Sequence, residues 1–103
     1  MIKPTIGRVM WYWPDKESRG DQPWAAFVTY VHGDNIVNLC VFTPNGVPTS
    51  TTSVPVVQDG SPFTAGDSPY VGWMPYQIGQ AKKHEPNALE LGAAARKVGK
   101  DGY

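Results

Sequence analysis

The stretch from Trp24 to Val57 constrains this chain more than any other, because it carries two turn signals between strand-like runs. Ala25–His32 and Asn35–Phe42 are rich in Val, Ile, Thr, Tyr and Phe, residues that fit a pleated surface. Between them, Gly33-Asp34 suits a two-residue type II′ turn, since Gly tolerates positive φ at its first position. Thr43-Pro44-Asn45-Gly46 suits a type I turn closed by a left-handed Gly, the pattern of a three-residue hairpin. The third run, Val47–Val57, is broken by Pro48 and Pro55. Proline cannot donate to a ladder, so this run is expected at a sheet edge or bent.

The first turn predicts a register. Tyr30/Val37, Val28/Leu39 and Ala26/Val41 share one face; Val31/Ile36, Thr29/Asn38, Phe27/Cys40 and Ala25/Phe42 share the other. Both faces are largely apolar, whereas a sheet with one wet face alternates apolar with polar. The second face is therefore expected to be covered by barrel closure, the tail, a subunit or a ligand. The second turn sets Thr52 beside Asn38, giving a polar row Thr29–Asn38–Thr52. The row reads either as mutually satisfied buried hydrogen bonds or as a binding row.

Outside the meander, Thr5–Trp13 predicts a first strand, with Val9 and Trp11 pointing inward. Asp15–Gln22 is polar and reads as an exposed loop. Gln58–Pro69 is a second loop, and Tyr70–Tyr76 a short last strand. Gln77–Glu85 is one turn of helix or an extended arm. Asn87–Val98 has a capping Asn, Glu early and Arg-Lys late, as the helix dipole favours. Gly92 weakens that segment by about 1 kcal/mol, and its apolar face is thin, so it reads as a marginal helix or a disordered tail. Ten prolines and eleven glycines favour short strands and turns. The expected fold is all-β: a small SH3-like β-barrel of about five strands over 1–81, with a polar extension over 82–103.

One hundred and three residues make one domain. A net charge of zero with 17% charged residues lacks the basic stripe that duplex nucleic acid demands, and it favours association into a homo-oligomer. No long apolar span suggests membrane insertion, and no leader-like segment is visible, so the expected setting is cytosolic. Cys40 has no second cysteine to pair with and reads as a small core residue.

The residue types do not suggest catalysis. His32 and His84 lack a nucleophile motif and metal-ligand spacing, and Asp15, Asp21 and Asp34 are scattered loop acids. No phosphate-cradling Gly-rich motif is present. No enzyme activity, metal or cofactor is expected. Binding is better supported. Trp11, Trp13 and Trp24 bracket the first loop, with Trp73 and Tyr76 near the last strand. Aromatic faces stack on bases at about 1–3 kcal/mol each. Arg8 suits a phosphate, and Asn38, Thr52 and Ser53 suit ribose or base edges. Some of these aromatics must be core, and at least one of Trp13, Trp24 and Trp73 should be partly exposed.

The segments KPTIGRVMWYWP (Lys3–Pro14), QPWAAFVTYV (Gln22–Val31), VNLCVFTPNGVP (Val37–Pro48), TSVPVVQ (Thr52–Gln58) and WMPYQIGQA (Trp73–Ala81) resemble a family of short phage and prophage proteins. The resemblance covers about 1–81, and Lys82 onward departs from it. It implies a phage origin and action in the cytoplasm of a bacterial host. The family brings no catalytic signature. Phage proteins of this size include nucleotide sponges, oligomers that sequester cyclic-oligonucleotide or cyclic-ADP-ribose-type immune signals without cleaving them. That function is the expectation here. The alternative is a phage structural or host-takeover adaptor that binds protein through exposed aromatics.

Overall fold

The computed structural model of the chain describes residues 1–84. The expectation for 87–98 therefore lies outside the described residues. Five strands form: β1 (Val9–Trp13), β2 (Trp24–Gly33), β3 (Ile36–Phe42), β4 (Pro48–Pro55) and β5 (Tyr70–Gly72), followed by helix α1 (Pro75–His84). They make one sheet in the order β4-β3-β2-β1-β5, with every strand pair antiparallel. The sheet curls into a half-barrel. A parallel bridge from Val56 to Val71 ties the end of the meander to β5. The architecture is the expected small, all-β, barrel-like fold.

The concave side holds the core. Met10, Tyr12, Ala26, Val28, Val37, Leu39, Val41, Val54, Val56, Val71 and Trp73 are buried, and among the described residues no polar or charged side chain is buried with them. The inward residues of β1 are thus Met10 and Tyr12, not Val9 and Trp11. Both parities of Val-Met-Trp-Tyr-Trp are apolar, so alternation alone does not choose between them. The partner strand does: Met10 lies opposite Ala26, where a slender side chain fits a concave interior, while Trp11 lies opposite Ala25 on the convex side. The strand also begins at Val9 instead of Thr5, because Gly7 takes φ +88° in a tight turn closed by the Arg8 N–H donating to the Thr5 carbonyl.

The second turn forms as expected. Gly46 has φ +83°, its N–H donates to the Thr43 carbonyl at 2.7 Å, and the Val47 N–H donates to Thr43 Oγ1 at 3.1 Å. The prolines flank an edge strand, since β4 is outermost. The first turn falls one residue later than expected: Gly33 pairs with Ile36, leaving Asp34-Asn35 as the loop. Two bulges in β2 absorb the difference, between Val28 and Tyr30 and between Val31 and Gly33. The pairs from Ala25 to Val28 therefore match the expected register, but beyond them Tyr30 opposes Asn38 and Val31 opposes Val37. Each bulge adds one residue and flips the alternation, so Val31 packs on the core and Tyr30 faces out, 54% exposed.

Two further expectations change. Trp73–Tyr76 does not continue the last strand. Pro75 sits at the first helical position, where its missing N–H is not needed. Gln77 Oε1 accepts from the Met74 N–H at 2.8 Å, half of a capping box. Cys40 is only half-buried, because it shares the convex face with Phe27 and Phe42.

Candidate functional site

The convex face is the feature with chemical promise. Strand alternation puts Val9, Trp11 and Trp13 from β1, Ala25 and Phe27 from β2, and Asn38, Cys40 and Phe42 from β3 on that side. Trp11, Trp13, Phe27 and Phe42 are all half-buried. Phe27 and Phe42 pack at 5.9 Å between ring centroids, and Trp13 stacks on Tyr70 at 6.3 Å. Helix α1 faces elsewhere, lining a groove with Met1, Ile2 and Phe63.

One end of the face is polar. Asn38 Oδ1 accepts from the Ser53 N–H at 2.8 Å and lies 2.9 Å from His32 Nε2. The sequence row Thr29–Asn38–Thr52 is thus exposed or half-buried instead of buried, and the partners of Asn38 are Ser53 and His32, not Thr29. The other end carries Arg19. Its Nε donates to the Pro14 carbonyl at 3.1 Å and its Nη2 to the Gly66 carbonyl at 2.9 Å, and its guanidinium lies 5.2 Å from the Tyr70 ring centre. These bonds, with Lys16 N–H donating to the Asp67 carbonyl, fasten the first loop to the second.

Trp11, Trp13, Asn38, Thr52 and Ser53 are therefore brought to the convex side or its β4 edge. The other four site residues are not. Arg8 shares the parity of Met10 and Tyr12, and its guanidinium lies 5.6 Å from the Trp73 ring centre. Trp73 is buried, 4% exposed, with one face under Arg8 and its Nε1–H donating to Gln58 Oε1 at 3.1 Å. It is a core residue and offers no ring to a ligand. Trp24 packs against the core beside Tyr12, at 6.1 Å. Its half-exposed rim faces a groove of about 610 Å3 formed with Pro23, Phe42 and Pro44. Tyr76 stands 74% exposed on α1.

No family model, curated protein or solved structure matches this chain.

Function must accordingly be argued from the side chains. A larger groove, about 670 Å3, lies between the amino terminus, the Gln58–Pro69 loop and α1. Its central polar group is already used: Gln58 accepts from the Ile2 N–H and donates to the Ile2 carbonyl, both at 2.9 Å, besides holding Trp73. That leaves it a structural clamp. Among the described residues, no three His, Cys, Asp or Glu side chains converge as a metal site, and no helix is long and apolar enough to cross a membrane. Sequence reading missed Tyr30, His32, Phe27, Phe42 and Arg19. The Phe residues were visible as the second apolar face; Tyr30 was assigned to the wrong face because bulges leave no residue-type signature.

Proposed function

We propose that this protein is a non-enzymatic phage anti-defence binder. It holds a small nucleotide-derived immune signal, of cyclic-oligonucleotide or cyclic-ADP-ribose type, at a contact between copies of itself and does not cleave it. The observation that carries the reading is the convex face: half-exposed Trp11, Trp13, Phe27 and Phe42 beside the polar Asn38 end. Aromatic rings give bases a stacking surface, and the Asn38 end gives ribose or base edges hydrogen-bond partners. Arg8 lies on the opposite side from this face, so its phosphate contact would come from another copy, as a closed symmetric oligomer allows. The resemblance of residues 1–81 to short phage proteins supports the setting.

Native mass spectrometry with a panel of cyclic dinucleotides, cyclic trinucleotides and cyclic ADP-ribose isomers tests this. The expected result is a defined oligomer retaining unmodified ligand at integral stoichiometry. A protein that ignores the whole panel would sink the reading. The second reading, a structural or host-takeover adaptor, draws on the apolar middle of the same face and on the Trp24 groove, whose lining includes Pro23, Phe42 and Pro44. It expects a protein partner and no affinity for small nucleotides.

A further inference from the structure

Three irregularities meet at one level of the sheet. β2 bulges between Val28 and Tyr30 and again between Val31 and Gly33, and the β3–β4 register shifts between Val37 and Leu39. In that last shift Ser53 takes φ 55°, the only positive φ at a non-Gly residue among those described. Bulges re-aim side chains, and a left-handed non-Gly residue persists where its surroundings hold it. Here the holding group is Asn38, which receives the Ser53 N–H.

The hydrogen bonds fix the free valences. The Ser53 N–H needs an acceptor, so the atom facing it is the Asn38 oxygen. That oxygen cannot donate, so His32 Nε2 must carry the hydrogen on their 2.9 Å contact. His32 Nδ1 is then left as an acceptor in the neutral ring. Asn38 Nδ2, the Ser53 hydroxyl and the Tyr30 hydroxyl have no hydrogen-bond partner among the described residues. Tyr30 stands beside them, its ring edge-to-face with His32 at 4.9 Å and more than half exposed.

We propose that Tyr30, His32, Asn38 and Ser53 form a subsite for a planar heteroaromatic ring, a nucleobase. The ring stacks on Tyr30, its edge accepts from Asn38 Nδ2, and His32, bonded to Asn38 Oδ1, holds that amide in place. Tyr30 and His32 thereby join the binding surface. The inference rests on the nucleotide-binding reading and narrows it to one end of the convex face.

The test is an NMR titration of the full chain with AMP, CMP, GMP and UMP, with inorganic phosphate as the control. Backbone amide, Asn side-chain amide and aromatic signals are followed. The expected result is shifts concentrated at Tyr30, His32, Asn38 and Ser53, absent with phosphate, and an affinity at least tenfold weaker in Tyr30→Ala. His32→Ala, at an exposed position, should weaken binding without changing the amide spectrum elsewhere. Nucleotides that shift only signals around Trp11 and Trp13, or around Arg8, would overturn the subsite and leave nucleotide binding standing. Silence with all four nucleotides, when cyclic nucleotides bind in the mass spectrometer, overturns the subsite as well. Silence in both experiments removes both readings.

Discussion

Gln58 shows how one side chain can fasten the amino terminus to the core of a half-barrel. It bonds the Ile2 backbone twice and the Trp73 indole once, joining the amino terminus to the core through a single amide. Gln58→Leu keeps the volume but strands the buried indole N–H, and each net bond is worth roughly 1 kcal/mol. We expect a loss of about 2–3 kcal/mol in urea unfolding. Tyr12 acts at the other end of the core. Burial raises its phenol pKa above the ordinary value, Thr51 bonding opposes this, and the Asp15 charge adds to it. A raised folded pKa means that the native state favours the neutral phenol. The contribution is full below the unfolded pKa near 10 and is lost as pH rises through the folded value. Stability should therefore fall more steeply above about pH 10 in the natural chain than in Tyr12→Phe. Thermal melts of both proteins between about pH 8 and pH 11 read the difference; parallel curves would refute it.

At the scale of elements, local chemistry decides where structure starts and stops. The β3–β4 hairpin needs a left-handed residue at Gly46, which it meets without strain. Gly46→Ala forces a Cβ into that conformation and should cost about 1–2 kcal/mol. The Gly side of the turn is otherwise open space, so the loss has a backbone origin. A substitution of equal size at Gly33, whose φ is not positive, should cost less, and comparing the two urea midpoints checks this. Helix α1 depends on Pro75 and on Gln77, whose amide also donates to the Val9 carbonyl at 2.9 Å. Gln77→Ala removes the cap and the tie to β1 together and should release the helix, read as a loss of amide protection in hydrogen exchange from Ile78, whose N–H makes the first helical bond to the Met74 carbonyl.

Over the whole molecule, the half-barrel buries one apolar face and leaves the other available. If the convex face is where copies meet, Trp11→Glu should dissociate the assembly while shifting the melting temperature of the monomer by little. Trp11 lies outside the core cluster, so the substitution leaves the concave packing intact. Analytical ultracentrifugation checks the subunit number. An unchanged sedimentation coefficient would remove that face from the interface. Met10→Ala is the contrasting change: it empties a fully buried site and should cost about 2–5 kcal/mol whatever the oligomeric state.

The sequence by itself determined the meander, its second turn, the edge position of the Pro-flanked strand and the two-faced apolar character of the sheet. Each rests on φ restrictions or on side-chain period, which are properties of neighbouring residues. Only the tertiary structure decided the rest. It chose Met10 and Tyr12 over Val9 and Trp11 for the interior, because that choice depends on the residues across the strand pair. It set the bulges that turn Tyr30 out and draw Val31 in, because burying Val31 against the core outweighs keeping an unbroken ladder. It buried Trp73 and left Trp11 and Trp13 half-open, a distinction invisible when all are aromatic. It also separated Arg8 from Asn38 onto opposite faces, since strand pairing and the bulges, not spacing along the chain, decide which face each parity takes.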